Sequence, residues 1–154
     1  MSMVGIARSE FLLENPTIIE ASSNFEIMAE KKVGNNGQSV DSGGADKHTT
    51  GYNNLTLFRG KEAHPMPLIN YIIRICDQTR CPISITAAAQ ILASKAFPNG
   101  ICSYSKHRVV LTSMLLAHKM FIDDRIYTMS QWGKIGGITG RELKLLEMKM
   151  LKIL

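Results

Sequence analysis

The sequence predicts an all-α fold: a single bundle of five helices around a central third one, preceded by a disordered N-terminal segment. Three observations carry this. No alternating apolar/polar run of the strand type competes with the helical patterns. The segment "KHRVVLTSMLLAHKMFI" (106–122) is apolar round most of its circumference, as a helix surrounded by other helices must be. The stretch "KKVGNNGQSVDSGGADKHTTGYNN" (31–54) is rich in Gly, Asn and Ser and cannot bury enough apolar surface to offset its ordering entropy.

The elements follow in order. Before the linker, "EFLLENPTIIEASSNFEIMAE" (10–30) suggests a short helix or a docking peptide, with Pro16 breaking its pattern. Residues 1–62 are therefore assigned to a largely disordered extension and residues 63–154 to the folded domain, so that 1–60 should be dispensable for folding. Pro67 suits a first helical turn, where its missing N–H costs nothing, and "PLINYIIRICDQT" (67–79) follows. Ser84 is the expected N-cap of "SITAAAQILASKAF" (84–97), and Pro98-Asn99-Gly100 is a turn. Ser105 is the expected cap of the central helix, whose Val109, Leu116 and Met120 face one side and Met114 and Phe121 another. A short helix near 126–133 comes next, anchored by Trp132, the only tryptophan. Gly136-Gly137 makes the following turn, and Thr139 with Glu142 has capping-box spacing at the start of the last helix.

Length and composition bound the function. The 154 residues leave room for one domain, and no run approaches the ~18 apolar residues that span a bilayer. The first residues lack the pattern of a signal peptide, and the three cysteines have no CxxC spacing, which reads as an intracellular chain with free thiols. Charge is uneven: residues 1–64 carry a net of −2 and residues 65–154 a net of +7. The basic half fits a nucleic acid, an acidic partner or a solvated helix surface.

The catalytic options are poor. His48, His64, His107 and His118 have no metal-ligand spacing, and His107 reads better as a contact at a helix start. Ser103, Ser105 and Cys102 have no visible base, and Gly136-Gly137 is not a phosphate-binding loop. No metal and no cofactor is expected.

Two misplaced charges are more informative. At about 100° per residue, Leu143, Leu146, Met150, Leu151 and Leu154 form one stripe on the last helix, and Glu147 falls inside it. Lys119 sits between Leu115 and Leu116 on the central helix. An isolated charge on an apolar face costs several kcal/mol, so each needs a partner. They could pair internally, fixing how two helices pack, or meet another molecule.

The segment "VVLTSMLLAHKMFIDDRIYTMSQWGKIGGITGRELKLLE" (109–147) resembles the third-to-fifth helix region of a cyclin box, most closely that of the P-type (U-type) cyclins related to the yeast phosphate-regulatory cyclin. His107-Arg108, Leu111-Thr112-Ser113, Lys119, Asp123-Asp124, Tyr127, Trp132, Lys134 to Ile138, Glu142-Leu143 and Leu146-Glu147 carry the resemblance, which extends by helix pattern over about 64–154. Met129 and Lys144 stand where the family tends to have Asn, and Gly133 where it has Ala. The aspartate usual late in the second helix, which would pair with Arg74, is missing from "QILASKAF". The chain ends at Leu154 in mid-stripe, which implies a shortened form or a partner over the apolar end.

The resemblance implies a regulatory subunit, not an enzyme. It would bind a cyclin-dependent protein kinase, pack on the kinase αC helix and work in the cytoplasm or nucleus. The implied kinase-binding residues are Lys119, Glu147, Asp123, Asp124 and Tyr127, with Trp132, Gly136, Gly137, Thr139 and Glu142 structural. Asp123 and Asp124 could equally cap the fourth helix. The alternatives are a nucleic-acid-binding module of the transcription-factor type and a scaffold pseudo-cyclin. Membrane association and obligate homo-oligomerisation are not expected.

Overall fold

In a computed structural model of the chain, residues 10–30, 57–122 and 127–154 are described, and every regular element among them is helical. Residues 10–14 form one helical turn. Six helices follow: α1 Pro16–Glu30, α2 Leu68–Thr79, α3 Ser84–Ala96, α4 Lys106–Phe121, α5 Met129–Gly136 and α6 Gly140–Ile153.

The five helices expected for the domain are α2 to α6, and α4 is the central one. Residues 109–118 are all buried, which needs neighbours on every side. α3 and α2 pack on one flank, α5 and α6 on another, and α1 also reaches it. The end of α4 departs from expectation. Met120 and Phe121 are 61% and 64% exposed, because the bundle stops covering the helix one turn before the helix stops.

The N-terminal assignment needs the larger correction. α1 belongs to the folded domain, with Ile18 and Phe25 fully buried in the same core as α2 to α6. Pro16 opens this helix and does not break it. The Asn15 side-chain oxygen accepts hydrogen bonds from the Thr17 and Ile18 amides at 3.0 and 3.3 Å, a capping arrangement into which proline fits at the first position. Ile18, Ala21, Phe25, Met28 and Ala29 then point inward at helical spacing. The Ile101 amide donates to the Met28 carbonyl at 3.0 Å, and Lys106 pairs with Glu26 at 3.0 Å, tying α1 to the start of α4. Burying Phe25 and Ile18 stabilises by about 1.5–3 kcal/mol each, so removing residues 10–30 should destabilise the domain.

Residues 57–62 belong to the domain as well. Phe58 is fully buried edge-on to Phe97, and the Gly60 amide donates to the Tyr104 carbonyl at 2.9 Å. The 31–54 linker lies outside the described residues.

Three caps also differ. Ser84 is the first residue of α3 and makes no cap bond; Ile83 holds that place. The buried Ser105 hydroxyl is used in its own turn, donating to the Cys102 carbonyl at 2.9 Å. At α6 only half the capping box forms: the Thr139 hydroxyl accepts from the Glu142 amide at 3.1 Å, while the Glu142 carboxylate pairs with Arg108. The complete box belongs to Thr128 and Gln131 at the start of α5.

Candidate functional site

The site is assembled where α4 ends against α6. Lys119 lies in the last turn of α4, and Glu147 lies on the face of α6 that packs inward. The Lys119 ammonium donates to one Glu147 carboxylate oxygen at 2.6 Å. Lys144, one turn earlier on α6, approaches the other oxygen at 3.4 Å. The environments are unequal. The Glu147 side chain is 5% exposed, whereas Lys119 and Lys144 are 31% and 55% exposed. A buried carboxylate is thus held by two cations that both reach water. This joins the charges in the free chain, so the internal pair is real and the two are expected to be coupled there. It leaves the donors of two partly exposed lysines open to a partner, while the carboxylate that holds them is closed off by its own burial.

The ends of both helices carry exposed apolar side chains. Met120 and Phe121 follow Lys119 directly, and Leu151, one turn beyond Glu147 on α6, is 55% exposed. The sequence reading placed all three against the core. The signal that could have moved them outward is their position at the end of a helix or at the margin of the stripe.

The scaffold under the site is α5 and its turn. Trp132 is 2% exposed and lies edge-on to His118 with ring centroids 5.4 Å apart, packing α5 on α4. Burial pushes the His118 imidazole below its ordinary value, leaving it a neutral packing partner. A Cβ on Gly136 would run into the buried Leu111 side chain, so the glycine lets α5 approach α4 closely without displacing it. The Tyr71 hydroxyl donates to the carbonyl of the same Gly136 at 2.8 Å, fastening α2 to α5. Gly137 has φ 81° and ends α5 in the left-handed region. Tyr127 is half-buried and packs on the core beside Met129, whose sulfur lies 3.7 Å from the Lys119 ammonium. Asp123 and Asp124 lie outside the described residues.

A second cluster is structural. His64 and His107 stack with centroids 4.2 Å apart, Tyr71 lies edge-on to both, and His107 Nε2 hydrogen-bonds the Met66 carbonyl at 2.7 Å. Burial pushes His107 down to about 4, and its neutral ring clips the 64–67 segment to the first turn of α4. No group of His, Cys, Asp and Glu among the described residues is placed to hold a metal, and no described helix is long and apolar enough to cross a membrane.

Comparison with known proteins addresses the same helices. The family model described as Cyclin matches residues 18–154, which begins inside α1 and takes in the whole bundle. The chain is 30% identical to Cyclin-U3-1 of Arabidopsis thaliana over 100 residues, 63% of this chain and 45% of that protein. It is 28% identical to Cyclin-U4-1 of the same plant over 103 residues, 63% and 50% of the two chains. To Cyclin-P3-1 of Oryza sativa subsp. japonica it is 29% identical over 99 residues, 62% and 42% of the two chains. The chain matches about half the length of these relatives. With all six helices at least partly inside one family model, and with U-type and P-type relatives, the chain belongs to the cyclin family.

Proposed function

We propose that the chain is the regulatory subunit of a cyclin-dependent protein kinase, working inside the cell and without catalytic chemistry of its own. The observation that carries this is the Lys119–Glu147 pair at the margin of the bundle, a buried carboxylate joining two helices whose ends carry exposed Met120, Phe121 and Leu151. A purely internal pair has no use for exposed large apolar side chains on the ends of its helices. A docked helix does: its carbonyls accept from the partly exposed Lys119, which Glu147 holds in place, and its apolar face covers the rim. Tyr127 acts from below by seating the start of α5.

Packing on the kinase αC helix would favour the arrangement in which its glutamate pairs with the lysine that holds the ATP phosphates. No chemical step is needed, because a ligand that binds the active arrangement better shifts the population toward it. The test is capture and activation of a purified cyclin-dependent kinase. Glu147→Ala should weaken binding by ~2 kcal/mol or more, the range for losing a charged hydrogen-bond partner at a buried interface. Unchanged kinase activation by Glu147→Ala would overturn the site. Absence of kinase binding by the unaltered chain, with duplex DNA bound in a steeply salt-dependent way, would transfer the reading to nucleic acid.

A further inference from the structure

A second surface of α6 carries an inference that does not depend on the kinase. Arg141, Leu145, Met148 and Lys152 recur at i, i+4, i+7 and i+11, which places them on one stripe, and all four are exposed. Leu145 and Met148 are 51% and 46% exposed between the two cations. The stripe is clear of the Glu147 side of the helix. Its charge is unbalanced, because both glutamates of α6 are already engaged, Glu142 by Arg108 and Glu147 by Lys119 and Lys144. Arg141 and Lys152 form no ion pair with another described residue.

The complementary pattern stands on α1. Residues 10–30 hold five glutamates and no Lys or Arg. Glu26 is taken by Lys106. Glu20, Ser23, Ile27 and Glu30 recur at i, i+3, i+7 and i+10 on the outer face, with Ile19 beside them. Ile19 and Ile27 are 42% and 48% exposed. One stripe is therefore apolar between anions and the other apolar between cations. α1 packs on α2, α3 and α4, whereas α6 packs on α4 and α5, so the stripes stand on different flanks of the bundle.

We infer that the α6 stripe docks on the α1 stripe of a second copy of this chain, a head-to-tail contact. Each pair keeps one stripe of each kind free, one on either copy, so the contact propagates or closes into a ring and does not stop at a two-fold dimer. Two single-helix stripes bury an area at the low end for specific interfaces, which makes the association weak and reversible. Opposed charges across the contact make it sensitive to salt.

Sedimentation of the full chain over about 10–500 µM, a range suited to weak association, tests this. The weight-average mass should rise with concentration at low salt and fall toward the monomer value when salt is added. Glu20→Lys and Lys152→Glu, both at exposed positions, should each leave a folded monomer, while an equimolar mixture of the two variants should associate again by pairing the exchanged charges. A wild-type chain that stays monomeric, an association that both variants leave intact, or a mixture that stays monomeric would overturn the contact. A monomeric wild type that pellets with phosphatidylserine-containing vesicles, and loses this in Lys152→Glu, would give the α6 stripe to an anionic membrane instead.

Discussion

Removing both lysines from the Glu147 carboxylate is the perturbation that separates a strained pair from a shared one. In the intact chain the carboxylate is 5% exposed and has cations at 2.6 and 3.4 Å. Lys144→Ala removes a mostly exposed partner and should cost under about 0.5 kcal/mol, as surface pairs do. Lys119→Ala removes the shorter bond but leaves Lys144 able to close on the same carboxylate, and about 1–2 kcal/mol is expected, between the surface and buried ranges. The double variant leaves a buried carboxylate with no described cation on it, and the cost should reach ~3–5 kcal/mol. Single costs that sum to about 2 kcal/mol and a double cost of at least 3 leave a coupling of ~1 kcal/mol or more. Glu147→Gln, by contrast, leaves two lysines that can turn to water, and should cost less than the double lysine variant. Urea unfolding followed by helical circular dichroism gives all four values. Additivity within about 0.5 kcal/mol, with a total below the buried range, would mean that solvent screens Glu147 despite its burial, and the reasoning would fail.

Other outcomes follow from the core and the histidine cluster. Phe25→Ala in α1 should cost ~3–5 kcal/mol in the same urea assay; a loss under about 1 kcal/mol would mean that α1 is not part of the cooperative unit. Trp132→Ala should lose a similar ~3–5 kcal/mol, with a melting temperature to match, since its ring is buried against His118. His107 is held down to about 4 by burial, by His64 and by Lys106, with the Met66 carbonyl and Glu26 opposing. Its folded value lies below the unfolded one near 6.5, so the unfolded chain binds the extra proton and stability falls as pH drops from about 6.5 toward 4, by at most ~3 kcal/mol. His107→Gln should flatten that slope in urea melts at pH 7.5 and 5, and an unchanged slope would assign it elsewhere.

The parts of the fold legible in sequence are those where periodicity and burial coincide. α4 could be read because an apolar circumference has one structural meaning, and α6 because its stripe is continuous through Met150. The ends of these helices could not be read, because Met120, Phe121 and Leu151 keep the helical period while the neighbouring elements run out. α1 is ambiguous in sequence for a local reason. Proline is a breaker within a helix and a starter at its first turn, and Asn15 immediately before Pro16 was the signal for the second. The same ambiguity governs the caps. Thr139 with Glu142 and Thr128 with Gln131 have the same spacing, but only Glu142 has an arginine from α4 within reach to draw its carboxylate away.

That diversion of Glu142 bears on the site. Arg108 on the first turn of α4 holds the first turn of α6 through Glu142, and Lys119 on the last turn of α4 holds the second turn through Glu147. Two charge-assisted contacts, eleven residues apart on one helix and five apart on the other, fix both the crossing and the rotation of α6 on α4. A single contact would leave α6 free to roll about its own axis, carrying Glu147 in or out of the core. With both in place the carboxylate is presented at one height and one angle, and the apolar rim with it. Lys144 adds a second, mostly exposed cation to the Lys119–Glu147 pair. If the proposed kinase docks here, the excess charge would favour an acidic group opposite Lys144. Lys144→Asn should therefore leave folding unchanged within about 0.5 kcal/mol while making kinase binding less dependent on salt. A salt dependence identical to that of the unaltered chain would place Lys144 outside the interface.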